Sequence, residues 1–201
     1  MIVHGWGGDS RGNWFPWLAD ALRENKFEVS VPDFPNSEFP DLSAWLHYFK
    51  NNVVINSETI LVGHSLGVPF ILRFLEEYSK SVILGRSSND DSRIDSGQKA
   101  RMTRAAFLVA AFDKPLGIAE IQNFVDKPFN FAKIKSSCES FTIINSDNDP
   151  YFPLSIGKKL AKNLNAKLVI EKDGGHLQNP SGVFSYPKLL NEILESQGSP
   201  E

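Results

Sequence analysis

Cysteine is almost absent from this chain: Cys138 is the only one, so no disulfide can form within it. A reducing compartment is therefore expected. No apolar run approaches the roughly 18 residues of a membrane span, and the N-terminus lacks the basic and apolar regions of a secretory signal. The 21 basic and 24 acidic side chains nearly balance, which leaves no charge excess for nucleic acid or an anionic membrane. We therefore expect a cytoplasmic protein with neither of these partners.

Short apolar, β-branched runs alternate with longer helical patterns along the 201 residues. The predicted strands are Met1–Val3, Glu28–Val31, Thr59–Val62, Ala105–Ala111, Phe141–Asn145 and Lys167–Ile170. The predicted helices are Trp14–Asn25, Leu42–Asn51, Leu66–Tyr78, Ser155–Asn163 and Pro187–Glu195. This alternation predicts a single α/β domain over residues 1–201, a three-layer sandwich of about six parallel strands with helices on both faces. With the first strand between the second and third, the strand order is 2-1-3-4-5-6.

Three segments depart from this regular pattern. Residues 85–99, GRSSNDDSRIDSGQK, are polar and rich in turn formers, which predicts a surface loop. Residues 113–138 contain the patterns EIQNFVD and FNFAKIK, and we expect two short helices near the active face. The first strand has only three residues before His4, fewer than the usual five or six. Two interpretations stay open: the strand is this short, or residues upstream of Met1 complete it.

The sequence GHSLG at Gly63–Gly67 has the glycine spacing of a nucleophile elbow. It follows an apolar strand pattern and begins a helical one, which is the context that this motif requires. In an elbow the serine adopts strained backbone angles, and Gly63 and Gly67 would remove side chains that collide with the turn. Ser65 is the predicted nucleophile. Leu66, directly after it, is the first predicted backbone donor to an oxyanion.

A serine hydroxyl needs a base at neutral pH, and the chain offers four histidines. The elbow directs the side chains of His64 and Ser65 apart. His47 lies in a helical pattern, and His4 precedes the glycines of GWGG. His176 lies in the loop DGGHLQN beyond a predicted strand, where α/β sheets place functional side chains. We predict that His176 is the base.

The third member of a triad is a carboxylate that orients the imidazole. The loop SDNDPYFP contains two candidates, and we prefer Asp149 because Asp147 can cap the turn through nearby backbone N–H groups. Asp113, after the preceding strand, is a third candidate. The order Ser65, Asp149, His176 is the nucleophile–acid–base order of α/β-hydrolases. The same loop lacks the glycine and terminal glutamate of an EF-hand, and we expect neither a metal nor another cofactor.

The glycine-rich segment VHGWGG contains the last residue of the first strand and the loop that follows it. Its glycines allow backbone N–H groups to turn inward, and the Trp6 N–H is the predicted second oxyanion donor. His4 and Gly5 are expected to support this loop. The segment has neither the lysine of a P-loop nor the dinucleotide-binding spacing, which disfavours a phosphate site. Trp6 and Phe152, which flank the oxyanion loop and the acid, are the candidates for substrate contact.

Taken in order, HGWGG, GHSLG, SDNDPYFP and GGHLQN resemble the small lidless α/β-hydrolases of the retinoblastoma-binding serine hydrolase and YdeN type. The likeness spans nearly the whole chain, including NWFPWL, VPDFPN and PFNFAKIK, while residues 85–99 look like an insertion. The resemblance implies a serine hydrolase with esterase-like chemistry, in which Ser65 is the nucleophile, Asp149 the acid and His176 the base. The chain has no Leu-x-Cys-x-Glu motif, so no retinoblastoma-type partner is predicted.

These observations predict hydrolysis of a carboxylic ester, thioester or amide through an acyl-enzyme on Ser65. The expected partner is a small acyl-bearing substrate, and an apolar acyl group suits the aromatic residues near the predicted site. The alternative is a catalytically idle protein-interaction scaffold that retains the hydrolase fold, which the short first strand favours. A pure scaffold has no use for a strained elbow, an acid and a histidine together, so the enzyme is the preferred hypothesis.

Overall fold

The computed structural model describes residues 1–78 and 103–197, and the loop predicted at 85–99 lies outside them. The strands are β1 Ile2–Val3, β2 Ile60–His64, β3 Thr103–Val109, β4 Cys138–Ser146 and β5 Lys167–Glu171. The helices are α1 Phe15–Glu24, α2 Leu42–Asn52, α3 Gly67–Tyr78, α4 Phe131–Ser137, α5 Leu154–Leu164 and α6 Pro187–Glu195. Two short 3-10 helices cover Ala119–Phe124 and Asn179–Ser181. None of the helices described here is both long enough and apolar enough to cross a membrane.

The strands form one parallel sheet in the spatial order β1-β2-β3-β4-β5. The prediction of six strands is wrong by one, because Glu28–Val31 is not a strand. This segment lies beside β1, where the carbonyl of Ser30 accepts a hydrogen bond from the Ile2 N–H at 2.9 Å. β1 has only two residues, so it offers no ladder on which a further strand can form. If Glu28–Val31 is counted as the edge segment beside β1, the spatial order agrees with the predicted order 2-1-3-4-5-6.

Successive strand residues point to opposite faces of the sheet and supply two separate cores. On β3, Phe107 and Val109 pack in the core that contains α1 and α6. Ala106 and Leu108 pack in the core that contains α2, α3, α4 and α5. Strands covered on both faces have apolar residues at consecutive positions, which is why their sequences are continuous apolar runs. The predicted three-layer α/β arrangement is confirmed.

Residues 113–138 form the two expected short helices, and Arg73 of α3 binds this segment. The Arg73 Nε donates to the carbonyl of Phe124 at 3.0 Å, and the guanidinium lies 3.8 Å from the ring centre of Phe129. Its charge is paired with Glu76 at 2.8 Å. A buried, paired guanidinium therefore fastens the segment to α3. Its position near the active face stays a prediction.

Gly67, the first residue of α3, passes close to the end of β1. A Cβ placed on Gly67 would lie 2.5 Å from the carbonyl oxygen of Val3 and 3.0 Å from that of His4. Because both are backbone atoms of the sheet edge, only glycine allows the first turn of α3 to pass so close. This contact places the loop that follows β1 directly beside Ser65.

Gly67→Ala is expected to lower the free energy of unfolding by about 1–3 kcal/mol, because the added methyl group overlaps backbone that cannot move freely. Chemical denaturation of the wild type and the variant measures the difference. Gly12→Ala is the matched control, since a Cβ there meets no atom closer than 3.5 Å. The control should change the stability by less than about 1 kcal/mol. Equal stabilities of the two variants would contradict the close packing at Gly67.

Candidate active site

The three predicted catalytic side chains form one hydrogen-bonded line at the carboxyl edge of the sheet. Ser65 Oγ lies 3.0 Å from His176 Nε2, and His176 Nδ1 lies 2.7 Å from Asp149 Oδ2. The residues follow β2, β5 and β4, whose carboxyl ends meet at this edge. A carboxylate only accepts hydrogen bonds, so His176 Nδ1 carries the proton and Nε2 presents its lone pair to the Ser65 hydroxyl. This tautomer is the one that a general base requires.

Ser65 has the strained backbone that a nucleophile elbow implies. Its φ is 53°, in the left-handed region that residues with a side chain rarely adopt. The Ser65 N–H donates to the carbonyl of Val109 at 3.0 Å, which anchors the turn to β3. A Cβ on Gly63 would lie 2.9 Å from the carbonyl oxygen of Gly67. The two glycines of the motif thus allow the chain to reverse tightly around the serine.

The backbone N–H groups of Trp6 and Leu66 make no hydrogen bond to any group in residues 1–78 and 103–197. Both lie beside the nucleophile. Leu66 follows it directly, and a Cβ on Gly5 would lie only 3.1 Å from the Ser65 Cβ. The next N–H along the loop, that of Gly7, already donates to another carbonyl. No group among the described residues therefore competes for the two predicted oxyanion donors.

His4 is buried and holds the oxyanion loop through both of its ring nitrogens. Nδ1 donates to the Gly5 carbonyl at 2.8 Å, and Nε2 accepts from the Phe34 N–H at 3.0 Å. Because a trans peptide is planar, fixing the Gly5 carbonyl also fixes the direction of the Trp6 N–H. Burial lowers the pKa of His4, against opposing effects from the Gly5 bond and the charge of Asp33. The neutral ring is the form that can make both bonds.

The loop that carries the acid and the loop that carries the base are joined by consecutive hydrogen bonds. The Asp173 N–H donates to Asp147 Oδ1 at 2.9 Å. The Gly174 N–H donates to Ser146 Oγ at 3.0 Å, and the Gly175 N–H donates to Asn148 Oδ1 at 2.8 Å. Asp147 therefore binds the loop of His176, 26 residues further along the chain, and not the nearby backbone N–H groups of its own turn that were expected. Asp113 is half-buried, where burial raises its pKa, and Lys159 and Lys114 oppose that rise. Among the described carboxylates, only Asp149 is bonded to His176.

Two aromatic residues that follow Asp149 contact the His176 ring and differ in their exposure. Phe152 is only 3% exposed and packs behind the His176 ring, with 5.3 Å between ring centres. Tyr151 is 60% exposed, and its ring stands edge-on to His176 at 4.6 Å. The exposed ring beside the base is thus that of Tyr151, which sequence reasoning missed in favour of Phe152. Trp6, the other candidate, is 43% exposed, and its indole N–H donates to the carbonyl of Glu38.

His47 lies on the exposed side of α2, outside the site. Its Nε2 is 3.0 Å from Asn51 Nδ2. It has no contact with the triad. Within the part of the chain that the structure describes, no group of three or more histidine, cysteine, aspartate or glutamate side chains is arranged to hold a metal ion.

His64 precedes the nucleophile, but its side chain points into the protein. Its Nε2 lies 3.0 Å from the carbonyl oxygen of His176, and its Nδ1 has no hydrogen-bond partner in the described structure. Burial lowers the pKa of His64 to about 3. The ionisable groups that face it are His176, which lowers this pKa further, and Asp149, which raises it. His64 is therefore neutral in the folded protein at neutral pH.

Comparison with known proteins gives one consistent result. The chain matches the family model described as Serine hydrolase over residues 1–85 and 92–195. It is 31% identical to YdeN of Bacillus subtilis (strain 168), named as a hydrolase, over 202 residues that cover 100% of this chain and 96% of that protein. It is 25% identical to Serine hydrolase RBBP9 of Rattus norvegicus over 184 residues, 89% of this chain and 87% of that protein.

Solved structures agree with these relatives. The crystal structure of the ydeN gene product from B. subtilis is similar with a TM-score of 0.82 at 28% identity, over 98% of this chain and 97% of that one. Est1E from Butyrivibrio proteoclasticus has a TM-score of 0.65 at 13% identity, over 98% of this chain and 87% of that one. The second likeness concerns the fold alone.

The lowered pKa of His64 predicts a specific loss of stability in acid. Below its ordinary pKa of 6.5 the unfolded chain binds a proton at His64, whereas the folded chain does not until about pH 3. Between pH 6 and 4, the free energy of unfolding should therefore fall more steeply for the wild type than for His64→Gln. The expected difference is on the order of 1 kcal/mol per pH unit. Urea denaturation at several pH values measures it, and His47→Gln, which changes an exposed ring, should behave as the wild type. Parallel curves for the wild type and His64→Gln would contradict the neutral state.

Proposed function

The chain belongs to the serine hydrolase family, and on this premise we propose that it cleaves a carboxylic ester, thioester or amide through an acyl-enzyme on Ser65. It is therefore a hydrolase. The observation that carries the finer proposal is the unbroken line from Ser65 Oγ through His176 to Asp149, at 3.0 and 2.7 Å. The two unbonded N–H groups beside Ser65 support it as well.

In the proposed reaction, Ser65 Oγ attacks the carbonyl carbon of the substrate while His176 Nε2 takes the hydroxyl proton. Asp149 stabilises the imidazolium that forms. The N–H groups of Trp6 and Leu66 donate to the developing oxyanion, and a donor of this kind typically contributes about 3 kcal/mol to the barrier reduction. The imidazolium then protonates the leaving group, and a water molecule repeats the sequence on the acyl-enzyme to release the acid and restore Ser65.

Tyr151 is proposed to flank the leaving group of the substrate. The leaving group receives its proton from His176 Nε2, so it must lie against the imidazole when the bond breaks. The exposed Tyr151 ring stands 4.6 Å from that imidazole, and its backbone N–H donates to Asp149 Oδ1 at 2.8 Å, which fixes its position. An apolar or aromatic leaving group could pack on this ring. The proposed substrates are therefore small acyl compounds with an apolar group near the scissile bond.

A fluorophosphonate probe should label the wild type, because the probe reacts with a serine that a base activates. Ser65→Ala should remove the label, and Asp149→Asn should slow labelling and hydrolysis of p-nitrophenyl acetate by about 10³-fold or more. Gel fluorescence and absorbance assays measure the two effects. Ser155→Ala, an exposed serine on α5, is the control and should keep the label. A folded wild type that is neither labelled nor active on short p-nitrophenyl esters would favour the idle scaffold instead.

Tyr151→Ala should lower kcat/KM for p-nitrophenyl acetate by about 5-fold, through KM, since it removes one partner of an aromatic contact worth about 1 kcal/mol. Ethyl acetate, whose leaving group is small, should be affected less. Tyr151→Phe is the matched control, because it keeps the ring and removes only the hydroxyl, and it should resemble the wild type. An equal loss for both esters would show that the ring does not contact the leaving group.

A further inference from the structure

We propose that His64 and Trp14 are positioning residues that hold the backbone of the base loop and so set the distance between base and nucleophile. The inference rests on the proposed function of His176. Two buried side chains donate to two successive carbonyls of this loop. His64 Nε2 lies 3.0 Å from the oxygen of His176, and Trp14 Nε1 lies 2.8 Å from the oxygen of Leu177.

The chemistry of the acceptors fixes the state of His64. A backbone carbonyl only accepts, so His64 must carry its proton on Nε2. Its Nδ1 is buried without a partner, and a proton there would leave a second N–H without an acceptor. The ring is therefore held in one tautomer with a single donor, and that donor is used on the base loop. It is not arranged to exchange a proton with Ser65.

The base loop has a backbone that needs outside support. Asp173, Gly175 and Leu177 have φ of 54°, 57° and 53°, so the chain enters the left-handed region at every second position around His176. Non-glycine residues keep such angles only where their surroundings hold them. The acid loop binds the N–H groups of residues 173–175, whereas His64 and Trp14 bind the carbonyls of residues 176 and 177. The backbone of His176 is thus held at its N–H by Ser181 Oγ, 3.2 Å away, and at its carbonyl by His64.

His64 also connects the loop of His176 to the strand that precedes Ser65. It is the last residue of β2, and Ser65 follows it. The His64 ring lies 5.2 Å from the His176 ring, and the Trp14 ring stands edge-on to the His64 ring at 5.9 Å and 89°. Trp14 itself is fixed at the N-terminus of α1 and is fully buried. The distance from Ser65 Oγ to His176 Nε2 is therefore defined by rigid, packed groups.

Steady-state kinetics with p-nitrophenyl acetate test the proposal. His64→Leu, which removes the donor, should lower kcat about 10- to 100-fold with KM within about 3-fold, since small misplacements of a base cost this much. His64→Gln, which keeps an N–H donor near the position of Nε2, should recover most of kcat. Its pH profile should keep the same acidic limb as the wild type. A kcat for His64→Leu within about 2-fold of the wild type, or a displaced limb in His64→Gln, would overturn the proposal.

A control and a second readout separate positioning from general stability. Thr103→Val removes a buried side-chain bond to the Ser137 carbonyl at the opposite end of β3, and kcat should not change. The low-field proton resonance of His176 Nδ1, which is bonded to Asp149, reports the geometry of the base without any turnover. It should shift or broaden in His64→Leu and persist in His64→Gln.

This resonance keeps the test independent of the proposed activity. A wild type that hydrolyses no ester would refute the proposed function, while the resonance would still report whether His64 positions His176. If His64→Leu does not fold, Trp14→Phe carries the same measurements, with a loss of kcat of about 3- to 10-fold expected. An unchanged resonance and an unchanged kcat in that variant would refute the positioning role.

Discussion

The passage of α3 against β1 at Gly67 is the constraint on which the site depends. The absence of a side chain there lets the helix start within contact of the Val3 carbonyl, and the chain reaches that start through the strained turn at Ser65. The nucleophile therefore stands between the N-terminus of α3 and the loop that follows β1. The loops after β4 and β5 reach the same place because all carboxyl ends of a parallel sheet lie along one edge. The contact at Gly67 and the common edge of the sheet together bring the four loops to one place.

The three histidines at this edge of the sheet differ in the partners of their ring nitrogens. His4 and His64 are neutral, and each gives its one N–H to a carbonyl, that of Gly5 in one case and that of His176 in the other. The first bond directs the N–H of Trp6, the proposed oxyanion donor, and the second holds the backbone of His176, the proposed base. His176 differs because its Nδ1 meets a carboxylate, so its Nε2 remains available to accept a proton. The same side chain therefore supports or reacts according to what surrounds its two nitrogens.

The sequence was sufficient for the features that local pattern encodes. Continuous apolar runs predicted the covered parallel sheet, and the two glycines around Ser65 predicted the elbow, because each reflects a requirement within a few residues. Features that depend on distant partners were not predictable. The exposure of Tyr151 and the burial of Phe152 depend on how the two rings pack against His176. The bond from His64 joins it to the carbonyl of a residue 112 positions away. The segment Glu28–Val31 has strand-like composition, but its pairing depends on the length of β1, which its own residues do not reveal.

The arrangement at His64 also bears on whether the fold serves only as a scaffold. A buried imidazole nitrogen without a partner costs about 1–3 kcal/mol, and the left-handed backbone at Ser65 costs a similar amount. Both costs fall on neighbouring residues, and both are offset by the large apolar cores on either face. Both costs are expected if the placement of the hydroxyl, the imidazole and its backbone serves the proposed activation of Ser65.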